Sequence, residues 1–184
     1  MILHDLAVLD ARDDCPHPSD GDEFFQESSL FVWYDLQQGV GGFWRLGQEV
    51  GRQEQNSCFG VFSVHDGLRF RQNLTGVPMA ATDRSETDMG CGPQLRLHLD
   101  SLTMKADFAE CEVDLQFTDF VPRFDWYTLL GHPGHNSSHF ETSGAVKGRV
   151  RLGSREIEIN ALGYRDRSWG PRHWHDIRAT RWWP

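Results

Sequence analysis

Among its 184 residues the chain has only four cysteines, and only two lysines, Lys105 and Lys147. Cys15, Cys58, Cys91 and Cys111 stand far apart with no CxxC pair, which argues against a zinc ribbon or a disulfide framework. No run of about 18 apolar residues is present, so no helical membrane span is expected. The opening Met1-Ile-Leu-His-Asp5 lacks the basic and apolar regions of a secretory leader. Reduced thiols in a cytoplasm are therefore the expectation. There is no net positive charge either: the formal charge is −9, which argues against a nucleic-acid partner. No GxSxG motif occurs, and no Ser or Cys is singled out as a nucleophile. The Gly-rich stretch Gly39–Gly47 has no GK[ST] and leads into a strand, so it is not a phosphate loop.

What is present is unevenly distributed. Residues 1–23 carry seven acids and one base, whereas residues 147–184 carry nine bases and four acids. Sixteen of the 18 basic residues are arginine. Arginine favours fixed, bidentate partners, although a GC-rich genome would produce the same bias. Residues 1–23 read as an irregular acidic arm. From 24 to 184 apolar and aromatic segments alternate with Gly, Asp, Asn and Pro clusters, as in a single β domain.

Cys111–Thr118 alternates strictly: Cys111, Val113, Leu115 and Phe117 on one side, Glu112, Asp114, Gln116 and Thr118 on the other. That is a strand with one face in a core. Leu95–Leu99 repeats the pattern. Further strands are expected near 27–36, 41–47, 57–65, 67–74, 139–152, 155–162 and 176–183. Tight turns are expected at His65-Asp-Gly67 and Gly153-Ser154, with irregular loops over 77–93 and 122–138. One short helix or turn is expected near 168–174. Eight to ten strands with short connections predict an all-β antiparallel barrel or strongly curved sandwich. A closed barrel of this size commonly encloses one small ligand.

Three constellations carry chemistry. In Gly163–Arg172, period two puts Tyr164 and Asp166 on one face and Arg165 and Arg167 on the other, with Trp169 and Arg172 nearby. A carboxylic acid beside a phenol inside a barrel suits proton transfer. The alternative is an Arg–Asp–Trp network that closes the barrel end. The second is His132, His135, His139 and Glu141, whose spacing invites a metal. Pro133 and Gly134 break the helix that would line those ligands up, so no metal and no cofactor is expected. His139 and Glu141 share a side if extended, and so do His173 and His175. The third is Glu27, opening an aromatic strand as either a solvent-facing residue or a pocket anchor, with solvent the preferred reading.

Taken together, Phe25–Phe31, Gly41–Gly47, His139–Gly144 and Gly163–Arg172 resemble the AttH-like, hydroxyneurosporene synthase (carotenoid 1,2-hydratase) superfamily, in a bacterial branch of domains of unknown function. The resemblance implies a lipocalin-like (calycin) barrel, this chain corresponding to the first of two. It implies a cofactor-independent hydratase or cyclase (lyase or isomerase) acting on an isoprenoid-, steroid- or polyketide-like molecule inside a pocket. Asp166 and Tyr164 match the catalytic Tyr-x-Asp, and His139 the catalytic histidine. Glu141 stands where the hydratases have tryptophan. In this reading Asp166 donates a proton, Tyr164 hydrogen-bonds to it, and His139 activates water. Glu27, Trp33, Trp44 and Trp169 line the substrate, and Arg165, Arg167 and Arg172 form a supporting network. The rival is a non-catalytic binder of a hydrophobic ligand. Four of the seven tryptophans lie between 169 and 183, an aromatic edge that predicts a homodimer or a missing second barrel.

Overall fold

The computed structural model describes residues 8–19, 21–65, 67, 69–129 and 138–172. Ten antiparallel strands form one sheet: β1 (Phe25–Asp35), β2 (Val40–Glu49), β3 (Glu54–Ser63), β4 (Arg69–Pro78), β5 (Asp88–Gly90), β6 (Leu95–His98), β7 (Thr103–Phe108), β8 (Cys111–Asp119), β9 (Ser138–Leu152) and β10 (Arg155–Pro171). Its order is β4-β3-β2-β1-β10-β9-β8-β7-β6-β5, two meanders joined where β1 pairs with β10. The sheet curls into a half-barrel, as expected for a lipocalin-like fold.

The curl is held by side chains, because β4 and β5 are the two edges of the sheet. Phe70 of β4 packs on Phe108 at the end of β7 with ring centroids 4.8 Å apart, and Phe59 of β3 lies 5.9 Å from Phe108. Gln48 Nε2 of β2 donates to the Gly90 carbonyl of β5 at 3.2 Å. Alternating inward residues of both meanders fill the space between them, including Phe31, Trp44, Phe59, Leu97, Leu115 and Val150. The period-two reading of β8 holds residue by residue: Cys111, Val113, Leu115 and Phe117 are buried and their neighbours exposed. Trp44 Nε1 donates to Ser57 Oγ at 2.8 Å, so even this fully buried ring keeps a partner. Gly42 must be small: a Cβ there would lie 2.8 Å from the Trp33 ring and from the Gly60 carbonyl.

Four details need correction. The helix or turn near 168–174 is strand through Pro171, because β1 extends far enough to pair Trp169 with Glu27 and Pro171 with Phe25. β7 was not expected at all; Met104 and Ala106 face inwards, but the run is short and carries Lys105 and Asp107 between them. The loop 77–93 contains β5 and a 3-10 turn, Ala81–Asp83. Within 122–138 lies a single helical turn, α1 (Trp126–Leu129). The strand expected at 176–183, with its tryptophans, falls outside the described residues, as do His132, His135, His173 and His175.

The acidic arm folds onto the open end of the half-barrel. Val8 bridges Phe124, and Leu9 N–H donates to the Arg123 carbonyl at 3.0 Å. Asp10 and Asp13 cap each other's backbone N–H around the 3-10 turn Ala11–Asp14. That turn delivers Asp14, 1% exposed, into the barrel end.

Candidate functional site

Strand alternation divides the block Tyr164–Trp169 into two sets with different surroundings. Arg165, Arg167 and Trp169 face inwards and are buried; Tyr164 and Asp166 face outwards and are partly exposed. The inward set closes the barrel end, but not with Asp166. Arg165 pairs with Asp14 and with Asp119, its Nη2 lying 2.7 Å from Asp119 Oδ2. Arg123 joins the same two carboxylates. Arg167 Nη2 lies 3.1 Å from Glu27 Oε1, and its Nε donates to the Asp14 carbonyl at 3.0 Å. Arg84 pairs with Glu27 and reaches the His17 carbonyl at 2.6 Å. His17 Nδ1 sits 2.7 Å from Glu27 Oε1, and its ring stacks on Trp169 at 3.8 Å.

Glu27 is therefore wholly buried, not solvent-facing. Burial pushes its carboxyl upwards, but Arg167, His17 and Arg84 outweigh that and bring it down to about 2. Glu27, Trp33, Trp44 and Trp169, expected to line the substrate, are all buried among the described residues. Trp33 and Trp44 are packed in the core, and Trp169 is sandwiched with His17 at the closed end. The interior cavity beside Phe31, Trp33, Met104, Leu115, Phe117 and Val146 is only about 10 Å³, about one water's worth of space. Around that cavity the described residues pack aromatic side chains closely, Phe31 against Phe117 and Trp44 against Phe59. The sequence did contain the signal for Glu27: it shares parity with Phe25, Phe31 and Trp33.

The outward set forms its own cluster. The register places Glu141 opposite Asp166, Asp166 opposite Leu30, and Leu30 opposite Arg45, one row across β9, β10, β1 and β2. The row on one side is His139, Ser168, Ser28 and Gly47. On the other it is Ser143, Tyr164, Val32 and Phe43, followed by Ala145, Leu162, Tyr34 and Gly41. A polar cluster thus borders an apolar outer strip on which Leu162 is 62% and Val32 38% exposed. His139 Nε2 lies 3.2 Å from Glu141 Oε1 and 3.4 Å from Asp166 Oδ2. The structure brings His139, Glu141, Tyr164 and Asp166 together, and sets them on the outer face.

Burial raises the Asp166 carboxyl above its ordinary range; His139 opposes this, Glu141 reinforces it, and Arg172 and Arg45 oppose it. Tyr164 is raised well above an ordinary phenol, by burial first and then by its hydrogen bond to Glu141 and the charges of Glu141 and Asp166. Arg45, which the sequence did not single out, is a cation of this face beside Asp166. Burial lowers it and Asp166 counters that. Its guanidinium lies over Gly47, where a Cβ would come within 2.5 Å of it. No positional signal marks Arg45, because its relation to Asp166 depends on two successive strand pairings.

The arrangement can hold a proton between carboxylates and an imidazole at a largely buried but solvent-reached surface, next to apolar area. An open trough of about 1130 Å³ on the outer face of β6–β10 contains none of these groups and is lined by charges such as Lys105, Asp114, Lys147 and Arg149.

Among solved structures, the fold is similar to that of an AttH candidate from Nitrosomonas europaea, with a TM-score of 0.59 and 11% identity over 91% of this chain and 57% of that one. The likeness is one of fold, and this chain spans little more than half that protein's length. No curated protein matches the sequence. A sequence profile describing a domain of unknown function, DUF7064, matches residues 10–184. With nearly the whole chain inside that match, the chain belongs to the DUF7064 family.

Proposed function

We propose that the outer face around Asp166 is an acid–base site for a hydrophobic small molecule, of hydratase or cyclase type. The observation that carries it is the convergence of His139, Glu141 and Asp166 on one another beside the apolar strip of Tyr164, Val32 and Phe43. Asp166, which retains its proton more readily than an ordinary carboxyl, donates it to an alkene or carbonyl. His139 accepts a proton from water or from the product. Tyr164 bonds to Glu141 and so positions that carboxylate, instead of acting on Asp166 directly. Trp33 and Trp44 lie across the sheet and take no part; Glu141 is the group that can offset developing positive charge.

In this reading residues 24–184 supply one wall of the site, and a second barrel or a second copy of the chain supplies the other. The exposed Leu162, Val32 and Phe62 on the same face, and the 57% coverage of the AttH candidate, support this. A non-catalytic binder would use the same outer strip, since the cavity beside Trp33 and Leu115 has room for only about one water.

The test is proton transfer to carbon. Linear isoprenoid alcohols incubated with the protein in D2O would gain deuterium, read by mass spectrometry. Asp166→Asn and His139→Ala would lose that incorporation while keeping a native circular dichroism spectrum. Equal incorporation by Asp166→Asn would overturn the assignment, and binding without any incorporation would favour the binder.

A further inference from the structure

We infer that His139, Glu141 and Asp166 form a three-ligand site for a first-row divalent transition metal, with zinc the ion that the donor set suits. The sequence spacing suggested ligands from His132 and His135, which lie outside the described residues; the fold adds Asp166, from the neighbouring strand. The donor atoms all lie within 4.8 Å of one another. Nε2 of His139 is 3.2 Å from Glu141 Oε1 and 3.4 Å from Asp166 Oδ2. A tetrahedral ion with bonds of about 2.0–2.1 Å separates its ligand atoms by about 3.3 Å, so both distances already suit a shared ion.

The strand register independently calls for a cation. Glu141 and Asp166 are directly paired across β9 and β10, and like charges at such a position repel. A proton or a metal between them relieves that repulsion. One imidazole nitrogen with two carboxylates selects zinc, manganese or iron over calcium and magnesium, which prefer oxygen alone. Side-chain exposures of 27%, 28% and 16% leave the solvent side open for a water ligand. Three protein ligands and an open position are the pattern of a reactive metal site, not a structural one.

The groups around the site set its limits. Arg45 from β2 and Arg172 after β10 act on Asp166 as positive charges, and Tyr164 bonds to Glu141. The two arginines weaken affinity for a dication, so we place the site in the micromolar range or weaker, not among zinc-finger affinities. Metal and proton compete for the same lone pairs, so binding weakens as pH falls. If the acid–base reading above is right, and this consequence rests on it, bound zinc suppresses deuterium incorporation by taking the oxygen from which Asp166 donates.

Isothermal titration of the full chain with zinc, and absorption spectra with cobalt, test the site without any turnover. We expect one equivalent bound, and at least a tenfold loss in each of His139→Ala, Glu141→Gln and Asp166→Asn. His98→Ala, outside the cluster, should leave that equivalent unchanged. Circular dichroism checks that each variant folds. Zinc binding that all three variants retain, or no binding at millimolar zinc, would overturn the site. Metal binding without deuterium chemistry would instead uphold the site and remove only the acid–base reading.

Discussion

Asp166 and Arg167 are bonded neighbours that point to opposite sides of the sheet: Arg167 is 1% exposed and paired with Glu27, whereas Asp166 faces outwards beside His139. One residue step thus separates a group that holds the barrel shut from a group available for chemistry. Substitutions here separate the two roles. Arg167→Ala leaves Glu27 buried without its largest neutralising partner, at a cost of about 3–5 kcal/mol. Asp166→Asn removes a carboxylate whose charged form the fold disfavours, and the protein should unfold at an equal or slightly higher temperature at neutral pH. Thermal melts of the two variants check the contrast.

Acid unfolding should carry the signature of Glu27. Its folded carboxyl titrates at about 2 against an ordinary 4.5. The stabilisation is complete above the unfolded value and is lost as pH falls from 4.5 towards 2, to the extent of about 3 kcal/mol. Glu27→Gln should flatten that part of the stability curve, as measured by urea titrations at several pH values.

The arm behaves as part of the fold. Asp14→Asn weakens the ion pairs to Arg165 and Arg123, leaving Asp119 as the remaining carboxylate for both. A loss of about 3 kcal/mol is expected, measurable by chemical denaturation. Removing residues 1–19 should expose Trp169, whose ring now stacks on His17, and shift its fluorescence to longer wavelength.

Thiol labelling reports the core directly. Cys91 and Cys111 are buried, and burial pushes their thiols up to about 11 and about 12. A disulfide reagent at pH 8 should react with Cys15 and Cys58 in the native state and with all four only after denaturation.

The aromatic filling of the interior is structural. Trp44→Ala should cost about 3–5 kcal/mol and create an interior cavity at that site that takes up small apolar probes. A variant that takes up no such probe would contradict this.

The sequence by itself determined most of the strands and which residues of each share a face, though not β7 or the end of β10. In β8, β9 and β10 the two-residue period separates core from surface because it is a property of the extended backbone. It also determined that Tyr164 and Asp166 share a face apart from Arg165 and Arg167. Which face is the interior was decided by tertiary structure. The arginines are inward because Asp14 and Glu27, 151 and 140 positions away, neutralise them there. The outer cluster likewise depends on β9 pairing with β10, and β10 with β1. The pairing of Glu141 with Asp166 follows from the tight turn at Gly153-Ser154, which sets the β9–β10 register, whereas the approach of Arg45 depends on the long-range pairing of β10 with β1, which no local signal fixes. The scarcity of lysine, noted first, has its counterpart in those buried arginines: a planar fork that donates to several acceptors at once can be satisfied at a closed barrel end.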